Sequence, residues 1–170
     1  MVYFVRFLLA FVVTLAIAVA VIYFVAPMFS KVKSPAVEKA ALTAIYKAQD
    51  SGTEQRDASA ALNSVAKSCL FFDAHGGILP VPPLTEKLKT LYAGMRHVKA
   101  TSLLSTIKYD GTFATVTATT KVDWQSKGGR KMELRTTTQD KWDKATGQWK
   151  CEEVKIEKSN NTPLGFVVPH

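Results

Sequence analysis

The chain has 170 residues and is basic, with 22 lysine and arginine residues against 14 aspartate and glutamate residues and a net charge of +8. This charge is spread along the chain, and the aromatic-interleaved basic stripe of nucleic-acid binders is missing, so we expect no nucleic-acid partner. The two cysteines, Cys69 and Cys151, are too few for a disulfide-dense scaffold and lack the close pairing of a zinc site. Three scattered histidines add no metal site, and we expect no cofactor.

A long apolar run near the N-terminus predicts a membrane anchor. Residues 7–29, FLLAFVVTLAIAVAVIYFVAPMF, carry no charge. About twenty apolar residues in a helix span a hydrocarbon core roughly 30 Å thick. Basic residues stand at both ends of the run, Arg6 before it and Lys31 and Lys33 after it. We therefore predict a single transmembrane helix within residues 1–30, in contact with the lipid bilayer; the alternative is a cleaved signal peptide, whose apolar region is normally shorter.

The orientation of this anchor is predicted from the size of the domain behind it. Basic residues on both sides leave the positive-inside rule without a clear answer, but long domains are translocated largely regardless of charge. We expect a single-pass protein of the cell inner membrane with its C-terminal domain in the periplasm. In that oxidising compartment Cys69 and Cys151 would pair as a disulfide, and two buried apolar thiols are the equally weighted alternative.

Helical periodicity follows the anchor. A first helix is predicted from Ser34-Pro35, which suit the cap and first turn, to Ser51-Gly52, and its apolar face is formed by Val37, Ala41, Ile45 and Ala48. A second helix is predicted over residues 57–71, with Leu62, Val65 and Cys69 on one face. Residues 78–83, ILPVPP, contain three prolines and are predicted to be neither helix nor central strand. A third helix is predicted over residues 84–95.

From residue 97 onward the hydrophobic period changes to two. Four strands are predicted at about residues 101–109, 113–124, 132–142 and 149–158, joined by turns at Asp110-Gly111, Gly128-Gly129 and residues 143–147. Helices followed by a meander of strands are typical of the α+β class. We therefore predict two or three helices packed on a curved four-stranded antiparallel sheet.

The element order, the long strand 113–124 and the segment Gly147-Gln148-Trp149-Lys150 before the last strand resemble the nuclear transport factor 2-like (cystatin-like, SnoaL-like) fold. The resemblance covers residues 34–158, places the domain at residues 31–159 and implies a cone with a pocket between sheet and helices. The proline-rich segment 78–83 departs from the family and stands in place of one of its small helices.

Enzymes of this fold usually place an Asp, His or Tyr inside the cone, which makes candidates of Asp73, His75, Tyr92, His97, Tyr109 and Asp123. Asp73 and His75 are the best pair, because a carboxylate orients a nearby imidazole. Beside Gly76-Gly77, however, such side chains typically bond the local backbone. We therefore assign no catalytic residue and expect no enzymatic activity.

Two features predict binding to partner proteins. Trp124 lies near a strand end, as do Trp142 and Trp149, and would serve as a partner anchor or as cross-strand packing. The segment 160–170 follows the last strand and is unusually apolar for a free tail, with Leu164, Phe166, Val167 and Val168. We predict that this tail docks onto a neighbouring subunit or folds back onto its own domain.

Together these features predict a non-catalytic accessory, structural or assembly subunit of a larger, bacterial inner-membrane complex. Its partners would be other membrane-protein subunits, contacted through the helix, the domain surface and the tail. One alternative is a scaffold subunit of a type IV secretion-like machine, although only five residues precede Arg6 where that family has a longer N-terminal segment. Another is a membrane-tethered small-ligand-binding protein or enzyme that uses the cone pocket.

Overall fold

Two helices, two strands and a third helix precede a run of four long strands in the described part of this computed structural model, residues 34–73 and 77–160. The helices are α1 (Pro35–Gln55), α2 (Ala58–Ala61) and α3 (Val81–Ala93). The strands are β1 (Val65–Phe72), β2 (Ile78–Pro80), β3 (Met95–Asp110), β4 (Phe113–Ser126), β5 (Lys131–Asp143) and β6 (Lys150–Ser159).

The predicted anchor, residues 1–30, lies outside the described residues, as do the apolar residues of the predicted docking tail, Leu164, Phe166, Val167 and Val168. Among the helices that the structure describes, none is both long and apolar enough to cross a membrane. The transmembrane span and the docking tail therefore stay predictions from the sequence.

Helix α1 presents a different face to the core from the one predicted. Its buried residues are Leu42, Tyr46 and Gly52, whereas the predicted face members Ala41 and Ile45 only pack at the margin of the core. The helix also continues past Gly52 to Gln55. At Gly52 it touches α2, where a Cβ would lie 2.4 Å from the backbone nitrogen of Ala61. This glycine permits a close helix contact and does not end the helix.

The predicted helix over residues 57–71 is wrong. Asp57 caps only the short helix α2, its Oδ1 accepting hydrogen bonds from the backbone nitrogens of Ser59 (2.9 Å) and Ala60 (3.1 Å). The chain then enters β1, whose sequence VAKSCLFF pairs in parallel with β6. Its aromatic and β-branched residues suit a strand, and the partner that settles the conformation lies some eighty positions away in sequence.

The proline-rich segment divides into two elements. Residues 78–80 form the edge strand β2, which pairs with β1 alone, in agreement with the expectation that they form no central strand. Residues 81–83 begin α3, with proline at the first helical positions. The prediction is wrong there, because in the first turn the missing N–H groups have no intrahelical partner to lose.

The sheet has the order β2-β1-β6-β5-β4-β3 among the described strands. The antiparallel meander β3–β6 confirms the four predicted strands, with β3 beginning earlier, at Met95. The predicted strand count is wrong, since β1 and β2 extend the sheet to six strands. The α+β class with few helices on a curved sheet is confirmed.

The core between helices and sheet consists of two clusters of buried side chains. One is centred on Trp142 and includes Leu42, Val116 and both cysteines. The other is centred on Trp124 and includes Tyr92, Met95 and Val122. Both clusters border a partly open cavity, which is where the polar side chains of the interior collect.

Candidate functional site

The cavity has a volume of about 260 Å³ and lies between α1, α3 and the inner face of β3–β6. Most of its wall is apolar, including Val65, Phe71, Leu84, Leu88, Val122 and Leu134. Ligand sites in proteins are typically concave and apolar, with a few polar groups that fix orientation. Two groups of polar side chains are present here, one around Asp140 and one around Asp50.

Asp140 stands where the strand pattern calls for a core residue. Alternation along β5 brings Leu134, Thr136, Thr138 and Asp140 to the cavity wall. The side chain is 5% exposed and lies opposite Val116 of β4. A carboxylate is almost never buried so fully unless it is paired, so its partners define the site.

Tyr46 of α1 supplies the principal partner. Its hydroxyl donates a hydrogen bond to Oδ2 of Asp140 and accepts one from Nε1 of Trp142 at 3.3 Å. The rings of Tyr46 and Trp142 also pack, with their centroids 5.5 Å apart. Asp140, Tyr46 and Trp142 therefore form a buried chain of hydrogen bonds that joins α1 to β5.

Burial governs the electrostatics of this chain. It raises the pKa of Asp140 to about 6, although the hydrogen bonds from Tyr46 and Thr138 act in the opposite direction. Burial, reinforced by the charge of Asp140, raises the pKa of Tyr46 far above its ordinary value, so the phenol stays neutral and remains a donor. Oδ1 of Asp140 has no hydrogen-bond partner within the described part of the chain.

This arrangement suits proton transfer. When Asp140 is ionised, Oδ1 has lone pairs with no competing donor and can accept a proton. When Asp140 is protonated, the proton lies on Oδ1, because Oδ2 already accepts the Tyr46 hydroxyl proton. With a pKa of about 6, both forms are populated near neutral pH, as general acid–base catalysis requires.

A second cluster of polar side chains, around Asp50, lies elsewhere on the cavity wall. Oδ2 of Asp50 accepts a hydrogen bond from the backbone nitrogen of Ser102 (2.8 Å), and its Oδ1 accepts one from the Ser102 hydroxyl (2.7 Å). The Ser102 hydroxyl also contacts the Thr120 hydroxyl at 2.9 Å. Nearby in the wall, the hydroxyls of Tyr92 and Thr53 share a hydrogen bond of 3.2 Å.

The two cysteines meet beside the cavity. Cys69 of β1 and Cys151 of β6 are buried free thiols in this structure. A hydrogen bond with Cys69, together with burial, raises the pKa of Cys151 well above its ordinary value. A disulfide between them in an oxidising compartment stays a prediction. In the described ranges no group of three His, Cys, Asp or Glu side chains could hold a metal ion.

The candidates from the sequence are scattered in the structure. Among the candidates that the structure describes, Tyr92 alone lies in the cavity wall. Asp73 accepts a hydrogen bond from the backbone nitrogen of Gly77 (2.6 Å) and so closes its own loop, while His75 lies outside the described residues. His97 is exposed, at a φ of 49°. Tyr109 packs on Trp149, and Asp123 pairs with Lys121 at the surface.

Trp124 is 8% exposed and packs within the second core cluster. Its burial favours cross-strand packing over partner anchoring. Trp142 and Trp149 are buried as well, at 1% and 6% exposure.

Asp140 and Tyr46 are not among the candidates predicted from the sequence. A signal for Asp140 was present: continuing the alternation of Leu134, Thr136 and Thr138 reaches an aspartate on the inward face of a strand. The signal for Tyr46 is weaker, because the predicted apolar face of α1 contains Ile45, the residue before it.

Comparisons with known proteins identify the fold. No protein-family model and no curated protein match the chain. Among solved structures, a candidate scytalone dehydratase from Novosphingobium aromaticivorans DSM 12444 is similar with a TM-score of 0.64 and 15% identity, over 74% of this chain and 85% of that one. A hexachlorocyclohexane dehydrochlorinase has a TM-score of 0.61 and 12% identity, over 74% and 86%. An NTF2-like protein of unknown function from Shewanella baltica OS155 has a TM-score of 0.57 and 14% identity, over 76% of this chain and 99% of that one.

These similarities correct the expectation that the protein is not an enzyme. Proteins named as a dehydrochlorinase and as a candidate dehydratase share its architecture, so the fold gives no ground for excluding catalysis. At these identities the likeness establishes the fold alone. The described domain has the nuclear transport factor 2-like fold.

Proposed function

We propose that this domain binds a small, largely apolar molecule in its cavity and that Asp140 exchanges a proton with that molecule, as the acid–base group of an enzyme. One observation carries the proposal: a carboxylate 5% exposed in the wall of an apolar cavity keeps an oxygen, Oδ1, without a partner. A purely structural carboxylate would normally have both oxygens hydrogen-bonded, since an unpaired buried acceptor costs about 1–3 kcal/mol.

The proposed step is removal of a proton from carbon or oxygen of the bound molecule. The proton passes to Oδ1 of Asp140, and the electron pair stays on the substrate, where it forms a double bond or expels a leaving group. Tyr46 remains hydrogen-bonded to Oδ2 throughout. Two of the similar proteins are named for eliminations, a dehydratase and a dehydrochlorinase, and these names support the same reaction class here.

Nitrobenzisoxazole tests this proposal. The probe is flat and apolar, and its ring opens when a base removes its acidic C–H proton, because the N–O bond breaks and a coloured phenolate forms. We expect the protein to accelerate the opening, with a rate that rises as pH passes about 6. Asp140→Asn should lower the acceleration about a hundredfold or more.

Asp123→Asn is the matched control, because it removes a carboxylate of the neighbouring strand β4 that forms a surface ion pair with Lys121. Its rate should equal that of the unaltered protein. If Asp140→Asn opens the probe as fast as this control does, then Asp140 is not the base and the proposal is wrong.

We further propose that residues 1–30 tether the domain to the inner membrane, with the domain in the periplasm and the tail 160–170 contacting neighbouring membrane-protein subunits. The uncharged run at residues 7–29 and the apolar residues Leu164, Phe166, Val167 and Val168 support this. Deletion of residues 1–30 should move the protein from the membrane to the soluble fraction. If the deleted protein still pellets with membranes, or the complete one is soluble, the tether is excluded.

A further inference from the structure

The hydrogen bonds around Asp50 show which hydroxyl group donates and which accepts. The Asp50 carboxylate accepts two hydrogen bonds from Ser102, one from its backbone nitrogen and one from its hydroxyl (2.7 Å). A serine has one hydroxyl proton, and Asp50 takes it. At the 2.9 Å contact between the Ser102 and Thr120 hydroxyls, Thr120 must therefore be the donor. Thr120 has then used its only proton, and its oxygen can only accept a hydrogen bond from a molecule in the cavity.

The register of the sheet separates Thr120 from Asp140. Thr120 of β4 lies opposite Thr136 of β5, and Asp140 is four positions further along β5. At about 3.4 Å per residue, the two side chains lie roughly 13 Å apart along the strands. Both line the same cavity. The site therefore has a proton-transfer group near one end and an acceptor-only hydroxyl near the other.

The separation of the two groups sets what can contact both. A molecule that reaches Asp140 and Thr120 together must extend over roughly 13 Å, along a cavity wall that is mostly apolar. These features suit an elongated, mostly apolar molecule.

We propose that the cavity selects an elongated, mostly apolar molecule that carries a hydroxyl or amine group at one end, and that Thr120 accepts the hydrogen bond from this group. The other end of the molecule lies at Asp140. This inference rests on the proposed function, since it takes Asp140 as the reactive end, and it adds the length and the terminal group of the substrate. Thr120 is a specificity-determining residue in this scheme.

Straight-chain diols, from hexanediol to dodecanediol, are suitable probes, each compared with the alcohol of the same length that has a single hydroxyl. Binding is followed by the chemical shifts of the protein's methyl groups at about pH 8, where Asp140 is ionised. We expect diols of intermediate length to bind about three- to tenfold more tightly than their matched alcohols, the gain expected for one extra hydrogen bond. Shorter and longer diols should gain less.

Thr120→Val should abolish this preference for diols and leave the binding of the single-hydroxyl alcohols unchanged. Thr119→Val is the matched control, because Thr119 is the next residue along β4 and pairs with Thr137 away from the cavity. Ser102→Ala gives an independent test. This variant frees the Thr120 proton, so Thr120 can then donate a hydrogen bond as well as accept one. The monomethyl ether of a diol cannot donate at its ether end. It should therefore bind as well as the diol in this variant, and more weakly than the diol in the unaltered protein.

The outcomes separate the two proposals. If single-hydroxyl alcohols bind but diols gain nothing, or if Thr120→Val keeps the preference for diols, the inference about Thr120 is wrong while the cavity still binds ligands. If neither series binds and nitrobenzisoxazole is not opened, the proposed function itself is wrong.

Discussion

Tyr46 and Asp140 are 94 positions apart in the sequence, and the hydroxyl of the first donates a hydrogen bond to the carboxylate of the second inside the core. The contact joins α1 to β5 and holds Asp140 at the wall of an apolar cavity. It also leaves the other carboxylate oxygen unpaired. Stability and the proposed chemistry therefore depend on the same pair, and each can be tested separately.

The pH dependence of stability should report on Asp140. Its pKa is about 6 in the folded protein and about 3.9 in an unfolded chain, so the folded state binds the proton more tightly. The stabilisation from this proton is complete below about pH 4 and is lost as pH rises through 6, a change of about 3 kcal/mol in the free energy of unfolding. Urea unfolding at about pH 4 and pH 8 measures it. Asp140→Asn should remove this share of the pH dependence. If the free energy of unfolding changes equally between pH 4 and pH 8 in both proteins, the assignment to Asp140 is contradicted.

Tyr46→Phe should destabilise the protein more at neutral pH than at acid pH. The variant loses the donor to Oδ2 of Asp140 and leaves Nε1 of Trp142 without its acceptor. A hydrogen bond to a charged group is worth about 2 kcal/mol and one between neutral groups about 1 kcal/mol, so the cost should fall as Asp140 becomes protonated below about pH 6. Tyr92→Phe is the comparison, because its hydroxyl bonds the neutral Thr53. An equal pH dependence in both variants would show that the charge of Asp140 plays no part.

Gly52→Ala should loosen the contact between α1 and α2. The added Cβ would lie 2.4 Å from the backbone nitrogen of Ala61, and backbone cannot move aside cheaply. We expect a loss of about 1–3 kcal/mol in the free energy of unfolding, the range for overpacking. Gly128→Ala is the control, since a Cβ there would meet only the Ser126 hydroxyl, at 4.0 Å. Equal unfolding midpoints for the two variants would rule out the close approach.

Cys69 and Cys151 should react slowly with thiol reagents in the folded protein. Both are buried, and the hydrogen bond between them together with burial keeps the reactive thiolate of Cys151 scarce. Labelling followed by mass spectrometry should show modification only as the protein unfolds in urea. Rapid modification of the folded, reduced protein would contradict the packing of β1 against β6. The same measurement without reductant shows whether the predicted disulfide forms.

The parts of the fold that the sequence predicted are those determined by local signals. The strands of the meander are marked by alternation of period two and by glycine turns such as Asp110-Gly111, which need no distant partner to be recognised. Strand β1 failed because its conformation depends on a parallel partner, β6, far along the chain. Residues 57–71 also contain Leu62, Val65 and Cys69 at helical spacing, so the local pattern favoured a helix where the structure has a strand.

The candidate site was harder to predict for a related reason. An inward-facing aspartate such as Asp140 can be found by extending a strand pattern, but its pKa and its unpaired oxygen depend on the distant Tyr46 and on burial. The acidic and histidine candidates proposed instead were selected by residue type, because the resemblance to the fold implies an Asp, His or Tyr in the cone. Asp73 shows why that fails, since its carboxylate bonds the backbone of its own loop.

Titration of the Asp140 carboxyl carbon by carbon-13 NMR, with and without a bound single-hydroxyl alcohol, decides whether Asp140 is a buried acid–base group in the ligand cavity. We expect a midpoint near 6 in the free protein, assigned by its loss in Asp140→Asn. The midpoint should shift when the alcohol fills the cavity and displaces water from the carboxyl group. A midpoint near 4 that does not respond to the alcohol would instead show a solvated carboxylate outside the binding site.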